Sequence, residues 1–283
     1  MVQLGQMNHL PIVELDAKGA WLDVGDYGEL FLPRRHVPQG AEVGQTLAVF
    51  VYLNGDGEAE ISGDAPLARL GEFAALRVVS ANKIGAFLDW GLKKDLFVPI
   101  REQAETMQVG RHYLVRLYLD EQGRVAATSK LERFLRTDWP PYQSGDQVRL
   151  IIGAHTPMGF KAIVDERYAG MLFRNEVFTR LPVGRRMTGY VKLVREDGKL
   201  DLSLQAPGET GREAVADKIL ARLHKQQGYL PVSDASAPEL IANLFGVSKG
   251  QFKKAIGSLY KQGLILIEDE GIRLTDAGQS TDE

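Results

Sequence analysis

The residues of this 283-residue chain whose types invite chemistry are five histidines, a pair of recurring aspartates and several groups of cations. His9, His36, His112, His155 and His224 are scattered, with no metal-ligand spacing among them. The stretches "GDGE" and "EDGK" are hairpin turns, because a phosphate-cradling loop needs a strand before it and a helix after it. No Gly-x-Ser-x-Gly occurs. Asp23 and Asp89 recur at equivalent places in separate domains, so they read as turn-stabilising groups and not as a catalytic carboxylate pair. These observations predict no enzyme, no metal and no cofactor.

The cations point to phosphate. Residues 1–66 hold 3 Lys/Arg against 10 Asp/Glu, net −7, whereas residues 67–142 are net +3 and residues 143–210 net +2. Residues 211–283 are net −1, within a chain total of −3. Any phosphate-binding surface is therefore expected after residue 66.

The elements that must position these groups come from repeats. "GAWLDVGDYGELFLP" (19–33) returns as "GAFLDWGLKKDLFVP" (85–99), an offset of 66 residues. Each copy is followed by a Val-Gly, an alternating run, a turn ("NGDG" or "DEQG") and a second run, the pattern of a hairpin. A diverged third copy runs from "MGFKAIVDERYAGMLF" into "PVGRRMTGYVKLVREDGKLDLSLQ". Gly19, Gly85 and Gly159 are expected to serve backbone geometry at a strand kink. "LERFLRTDWPPY" (131–142) reads as a linker.

After "QAPGETG" the period becomes helical, with Val215, Ile219, Leu220 and Leu223 on one stripe. Pro238 opens a second helix. Ser248 and Gln251 form a capping-box pair at the start of a third, which Gly263 stops. Three helices and a terminal β-hairpin spell a winged helix-turn-helix. The expected fold is multidomain and mainly β: barrels over 1–66, 67–130 and 143–207, a linker over 131–142, and a small α+β winged helix over 211–283. Composition is that of an ordinary globular chain, 44% apolar and 25% charged. The absence of cysteine, of an apolar leader and of any 18-residue apolar window fits a cytoplasmic protein with no membrane partner.

"KIGAFLDWG", "DLFVP" and a following Val-Gly strand resemble the S1 variety of OB-fold. Three such units before a winged helix resemble the conserved virulence factor B (CvfB) family over nearly the whole chain. The resemblance implies cytoplasmic RNA-binding regulators without enzymatic chemistry. OB-folds bind single strands with aromatic rings on a curved β-face and a basic rim. Mapped onto the S1 pattern, the first Phe becomes Lys18, Ile84 and Met158, and the second becomes Trp21, Phe87 and Lys161. The His becomes Leu32, Val98 and Phe173. No unit keeps the full set, which predicts modest sequence selectivity. The RNA-binding residues implied are Lys83, Phe87, Lys93 and Lys94 in the second unit. In the third they are Lys161, Phe173, Arg174, Arg185, Arg186 and Lys192, and in the winged helix Lys249, Lys253 and Lys261.

Bland readings stand beside these. Trp21 and Phe87 could equally point into their barrels. Phe31 and Phe97, between apolar neighbours, are expected in the core. Trp90, which Val24 replaces in the first copy, could be an interdomain packing residue. Lys93-Lys94 could be a plain solvated turn. Glu268-Asp269-Glu270 at the wing tip would repel phosphate. The favoured reading is a protein that binds single-stranded RNA along a basic path through units two, three and the winged helix. It would act post-transcriptionally or near the ribosome or other translation or transcription machinery, as a monomer or weak dimer. The alternatives are a protein-interaction scaffold with degenerate barrels and a winged-helix regulator on duplex DNA.

Overall fold

The computed structural model describes residues 1–177, 179–206 and 212–279. Two compact units divide the chain between Phe134 and Leu135. The first holds two barrels. Barrel 1 comprises β1 (Gln6–Leu15), β2 (Gly19–Asp23), β3 (Glu29–Pro33), β4 (Thr46–Leu53) and β5 (Ala59–Ser62), in the order β3-β2-β1-β4-β5. Barrel 2 comprises β6 (Phe73–Ala81), β7 (Gly85–Asp89), β8 (Leu96–Pro99), β9 (His112–Leu119) and β10 (Val125–Thr128). It closes where β10 pairs β8 in parallel, Ala126 opposite Phe97. In barrel 1 the same seam between β3 and β5 is not hydrogen-bonded.

The second unit holds barrel 3 and the winged helix. Barrel 3 is built from β11 (Gln147–His155), β12 (Gly159–Val164), β13 (Tyr168–Phe173), β14 (Arg186–Val194) and β15 (Leu200–Ser203), and is closed. The winged helix has α1 (Arg212–Lys225), β16 (Tyr229–Leu230), α2 (Pro238–Phe245), α3 (Lys249–Lys261), β17 (Ile265–Glu268) and β18 (Gly271–Leu274). Strand β16 adds a third strand to the wing, paired with β18, which no pattern in the sequence announces. The Ser248–Gln251 capping box is present. Phe252, Ile256 and Leu259 of α3 pack with Val215, Ile219 and Leu223 of α1 in one core. The "QAPGETG" junction lies mainly outside the described residues, as do the expected boundaries at 207 and 211.

The repeated wording is the grammar of the barrel. A Cβ on Gly19, Gly85 or Gly159 would lie 2.1, 2.3 or 2.0 Å from the carbonyl oxygen of Leu32, Val98 or Leu172 on the facing strand. Only glycine fits so close a backbone approach. The Val-Gly glycines turn with positive φ, and their N–H groups donate to the bulged first strand. Gly44 reaches Ile12, Gly110 reaches Val78 and Gly184 reaches Ile152, at 2.7–2.8 Å.

Trp90 ties barrels 1 and 2 together. It is 3% exposed and meets Phe50 and Tyr52 of β4 edge-on, at 5.6 and 5.8 Å between centroids. Its indole N–H donates to the Lys94 carbonyl at 2.6 Å. Phe50 and Tyr52 belong to the same buried cluster as the core of barrel 2. Val24, at the equivalent place in barrel 1, lies in that barrel's own core. Trp90 is thus the interdomain packing residue that one reading allowed.

The expected linker is split. Its first part, a 3-10 turn over Leu131–Phe134, packs on barrel 2 through Arg116, which lies between Phe73 and Phe134 at 4.9 and 4.7 Å from their centroids. Arg133 there pairs with the buried carboxylate of Glu102 at 2.6 Å. The rest belongs to the second unit. Arg136 N–H donates to the Arg167 carbonyl at 2.7 Å, and the Tyr142 hydroxyl donates to Asp165 at 2.9 Å. Burial and that carboxylate push the Tyr142 phenol up to about 12.

Two expectations are corrected by strand register. Phe31 and Phe97 are not core residues. Each is half-buried, with its neighbours Leu32, or Leu96 and Val98, turned into the barrel, because successive side chains on a strand alternate faces. Nor does Phe173 occupy the place of Leu32 and Val98. Gly19, Gly85 and Gly159 face Pro33, Pro99 and Phe173, so the matching residue in barrel 3 is Leu172, which is buried. The spacing agrees in all three copies: Leu32, Val98 and Leu172 each follow their glycine by 13 residues.

Candidate nucleic-acid interface

Strand alternation puts Trp21 and Phe87 on the outer face of their barrels, between the buried pairs Ala20/Leu22 and Ala86/Leu88. Across the next strand each meets an aromatic partner. Trp21 and Phe31 are 5.4 Å apart between centroids and tilted at 56°, and Phe87 and Phe97 are 5.1 Å apart at 38°. All four rings are half-buried, so each pair keeps open surface. Such rings can stack bases, a contact of about 1–3 kcal/mol per base. Phe31 and Phe97 were missed as surface aromatics because an apolar run hides a strand's outer face. The strict repetition of Trp21…Phe31 and Phe87…Phe97 at matching spacing was the signal available.

In barrel 3 the same grid position holds Lys161 opposite Met171, so no aromatic pair forms there. Its rings lie elsewhere. Phe160 meets His155 at 4.7 Å, and Phe173, half-buried, lies under the Arg195 guanidinium at 5.6 Å.

The predicted cations fall into distinct settings. Around barrel 2, Lys83 stands exposed in the turn entering β7, and Lys93 is exposed in the turn leaving it. Lys94 instead bonds Glu60 of barrel 1. Burial alone would raise the Glu60 carboxyl, but hydrogen bonds from Lys94, Asn54 and Tyr52 outweigh it and hold the group below its ordinary value. Lys94 is therefore part of the barrel junction. In the second unit Arg186 pairs with Glu166 at 2.6 Å, Lys192 with Glu176, and Lys253 with Asp234 at 3.1 Å. Arg174 donates to the Thr156 carbonyl and Arg185 to that of Arg180, both at 3.1 Å. Lys161 and Lys261 are exposed. Lys249 departs from the expected open stripe: it is half-buried and its ammonium donates to the Ser236 carbonyl at 2.9 Å. The exposed ion pairs contribute about 0–1 kcal/mol each, so a phosphate could displace their carboxylates at little cost.

Between barrel 3 and the winged helix lies an open cleft of about 440 Å³, lined among others by Asn175, Tyr190, Lys192, Gln205 and Gln251. Gln205 donates across it to the Gly246 carbonyl at 2.7 Å. At the wing tip Glu268 is held by Arg273 at 2.8 Å, while Asp269 and Glu270 remain exposed. Among the described residues there is no group of three or more His, Cys, Asp or Glu placed to hold a metal, and no helix long and apolar enough to cross a membrane.

Comparison with known proteins agrees with this architecture. The S1 domain family matches residues 4–62 and 70–130, and the CvfB-like winged helix domain family matches residues 217–274. Conserved virulence factor B of Staphylococcus saprophyticus is 25% identical over 97% of this chain and 95% of its own length. The protein of that name from Staphylococcus aureus is 28% identical over 84% of this chain and 82% of its own. A Streptococcus pneumoniae structure described as a multidomain protein with nucleic acid binding domains aligns over 96% of this chain and 98% of its own, with 25% identity and a TM-score of 0.45. The S1 barrels support a nucleic-acid-binding role. The S1 matches lie on barrels 1 and 2, and the winged helix that follows barrel 3 matches the CvfB-like type, so in domain order and over most of its length the chain is similar to the conserved virulence factor B proteins.

Proposed function

We propose that this protein binds single-stranded RNA with low sequence selectivity and acts, without catalysis, as a cytoplasmic regulator of gene expression after transcription or at the translation machinery. The observation that carries the reading is the Phe87–Phe97 pair, an open aromatic surface on an S1 barrel with Lys83 in the turn beside it. The cations of barrel 3 and the Tyr190–Lys192 cleft supply a second phosphate-facing region whose ion pairs can open. Backbone contacts of this kind read charge more than sequence, and binding should weaken steeply with salt.

The test is binding of a labelled single-stranded oligonucleotide at two salt concentrations to wild type, Phe87→Ala and Arg185→Ala/Arg186→Ala. Weaker binding by both variants, with the fold intact, is expected. Unchanged affinity in Phe87→Ala would sink the assignment, and a preference for duplex DNA would favour a transcription regulator. The compensated cations of barrel 3 favour one competing reading, a protein-interaction scaffold, which predicts no RNA binding even at low salt.

A further inference from the structure

The first two barrels share one backbone grid and an acidic pair on it, Asp23/Glu29 and Asp89/Asp95, but the residues around that pair differ in charge. In barrel 2 the Arg77 guanidinium faces Asp89 across β6 and β7 at 3.4 Å, and the turn after β7 reads Leu92-Lys93-Lys94. In barrel 1 the equivalent of Arg77 is Pro11, and the turn reads Asp26-Tyr27-Gly28. The equivalent of Ser80 is Glu14, which lies opposite Trp21. Asp23 and Glu29 face each other directly across β2 and β3, one step along the same outer face from Trp21 and Phe31. Like charges directly opposite on a sheet repel. One Asp23 oxygen accepts the Gly25 N–H at 2.8 Å, and no ion-pair partner for Asp23 or Glu29 occurs among the described residues. Glu14, Asp23, Asp26 and Glu29 are all exposed, and Tyr27 is 38% exposed beside them. The cations Lys18 and Arg34 stand at the opposite end of the two strands, where Arg34 N–H bonds the Lys18 carbonyl.

An open pair of aromatic rings edged by unpaired carboxylates attracts cations twice over, through ring faces and through charge. The same carboxylates repel a phosphate backbone. We propose that the Trp21–Phe31 face of barrel 1 docks a basic segment of a partner protein, with Arg or Lys side chains over the rings and between Asp23 and Glu29. The inference does not depend on RNA binding by the rest of the chain. It assigns the two copies of one barrel opposite partners.

The experiment uses the full chain, a short fluorescein-labelled peptide alternating Arg and Lys, and single-stranded oligouridylate as the nucleic-acid probe. Asp23→Asn/Glu29→Gln keeps shape and removes charge, and the first of these amides retains an oxygen for the Gly25 N–H. Its peptide affinity is expected to fall about tenfold. Glu42→Gln/Asp56→Asn, the same charge change elsewhere on barrel 1, should leave peptide affinity unchanged. Oligouridylate binding should not respond to Asp23→Asn/Glu29→Gln. No peptide binding at low salt, or equal losses in both double variants, would overturn the proposal. Competition between oligouridylate and peptide, with weaker RNA binding by Trp21→Ala, would reassign the face to nucleic acid. Absence of RNA binding with peptide binding intact would instead sink only the RNA reading.

Discussion

Barrels 1 and 2 are copies that agree where the backbone needs agreement and in their outer aromatic pairs, and differ in many of the charges around those pairs. Gly19/Gly85, Gly44/Gly110, Leu22/Leu88 and the outer aromatic pairs are shared. Pro11/Arg77, Glu14/Ser80 and Asp26-Tyr27-Gly28/Leu92-Lys93-Lys94 are not. The kink end inverts as well: exposed Ile84 and Ile100 in barrel 2 stand where barrel 1 has Lys18 and Arg34. The comparison teaches that retention of an S1 aromatic says little about its ligand. The ring is common to both copies, and the charge around it decides what can approach.

The largest expected effect tests whether the two barrels are energetically one body. Trp90→Ala should cost about 3–5 kcal/mol, as for other large aromatic truncations in a core. Calorimetry should then show the first unit melting at a lower temperature, and an unchanged transition would mean that the junction contributes nothing.

Next comes the pair of aromatics themselves. Phe87→Ala should weaken single-stranded RNA binding by about 1–3 kcal/mol, whereas Trp21→Ala should leave it unchanged. Equal losses would erase the distinction between the copies.

A smaller effect is expected at the junction carboxylate. Because the Glu60 group is held below its ordinary value of 4.5, its stabilising contribution is full above about that pH and is lost as pH falls through the depressed value. Glu60→Gln should cost up to about 1 kcal/mol at neutral pH. It should also flatten the acid limb of the stability curve, measured by denaturant titration across pH.

The smallest effect separates the copies by salt. Lys83→Ala should reduce the salt slope of RNA binding by about one, and Lys18→Ala in barrel 1 should leave the slope where it was.

Much of this architecture is legible in the amino-acid sequence. The 66-residue repeat, the drifted third copy, the capping box at Ser248 and the winged helix all rest on local backbone chemistry that residue type expresses directly. The candidate interface was legible only in part. Lys83, Phe87 and Lys93 lie exposed or half-exposed where expected, but Lys94 is bonded to a glutamate 34 residues upstream and Lys249 to a carbonyl 13 residues away. No local pattern announces such distant partners. Leu172 rather than Phe173 matches Leu32 and Val98, and the constant 13-residue spacing from Gly19, Gly85 and Gly159 carries that in the sequence; the shift of one matters because it exchanges a strand's faces.

The sequence by itself determined that the chain is three barrels and a winged helix, and which of its regions is acidic. Glycines that must pass a carbonyl and strands that must alternate admit few other residues, so the fold is written in residue types. Only the tertiary structure decided that Phe31 and Phe97 face outward and that Trp90 seals one barrel to the next. It alone showed which cations are already engaged. Those properties depend on what stands across a strand or a domain boundary, and contacts of that kind join residues far apart in the chain.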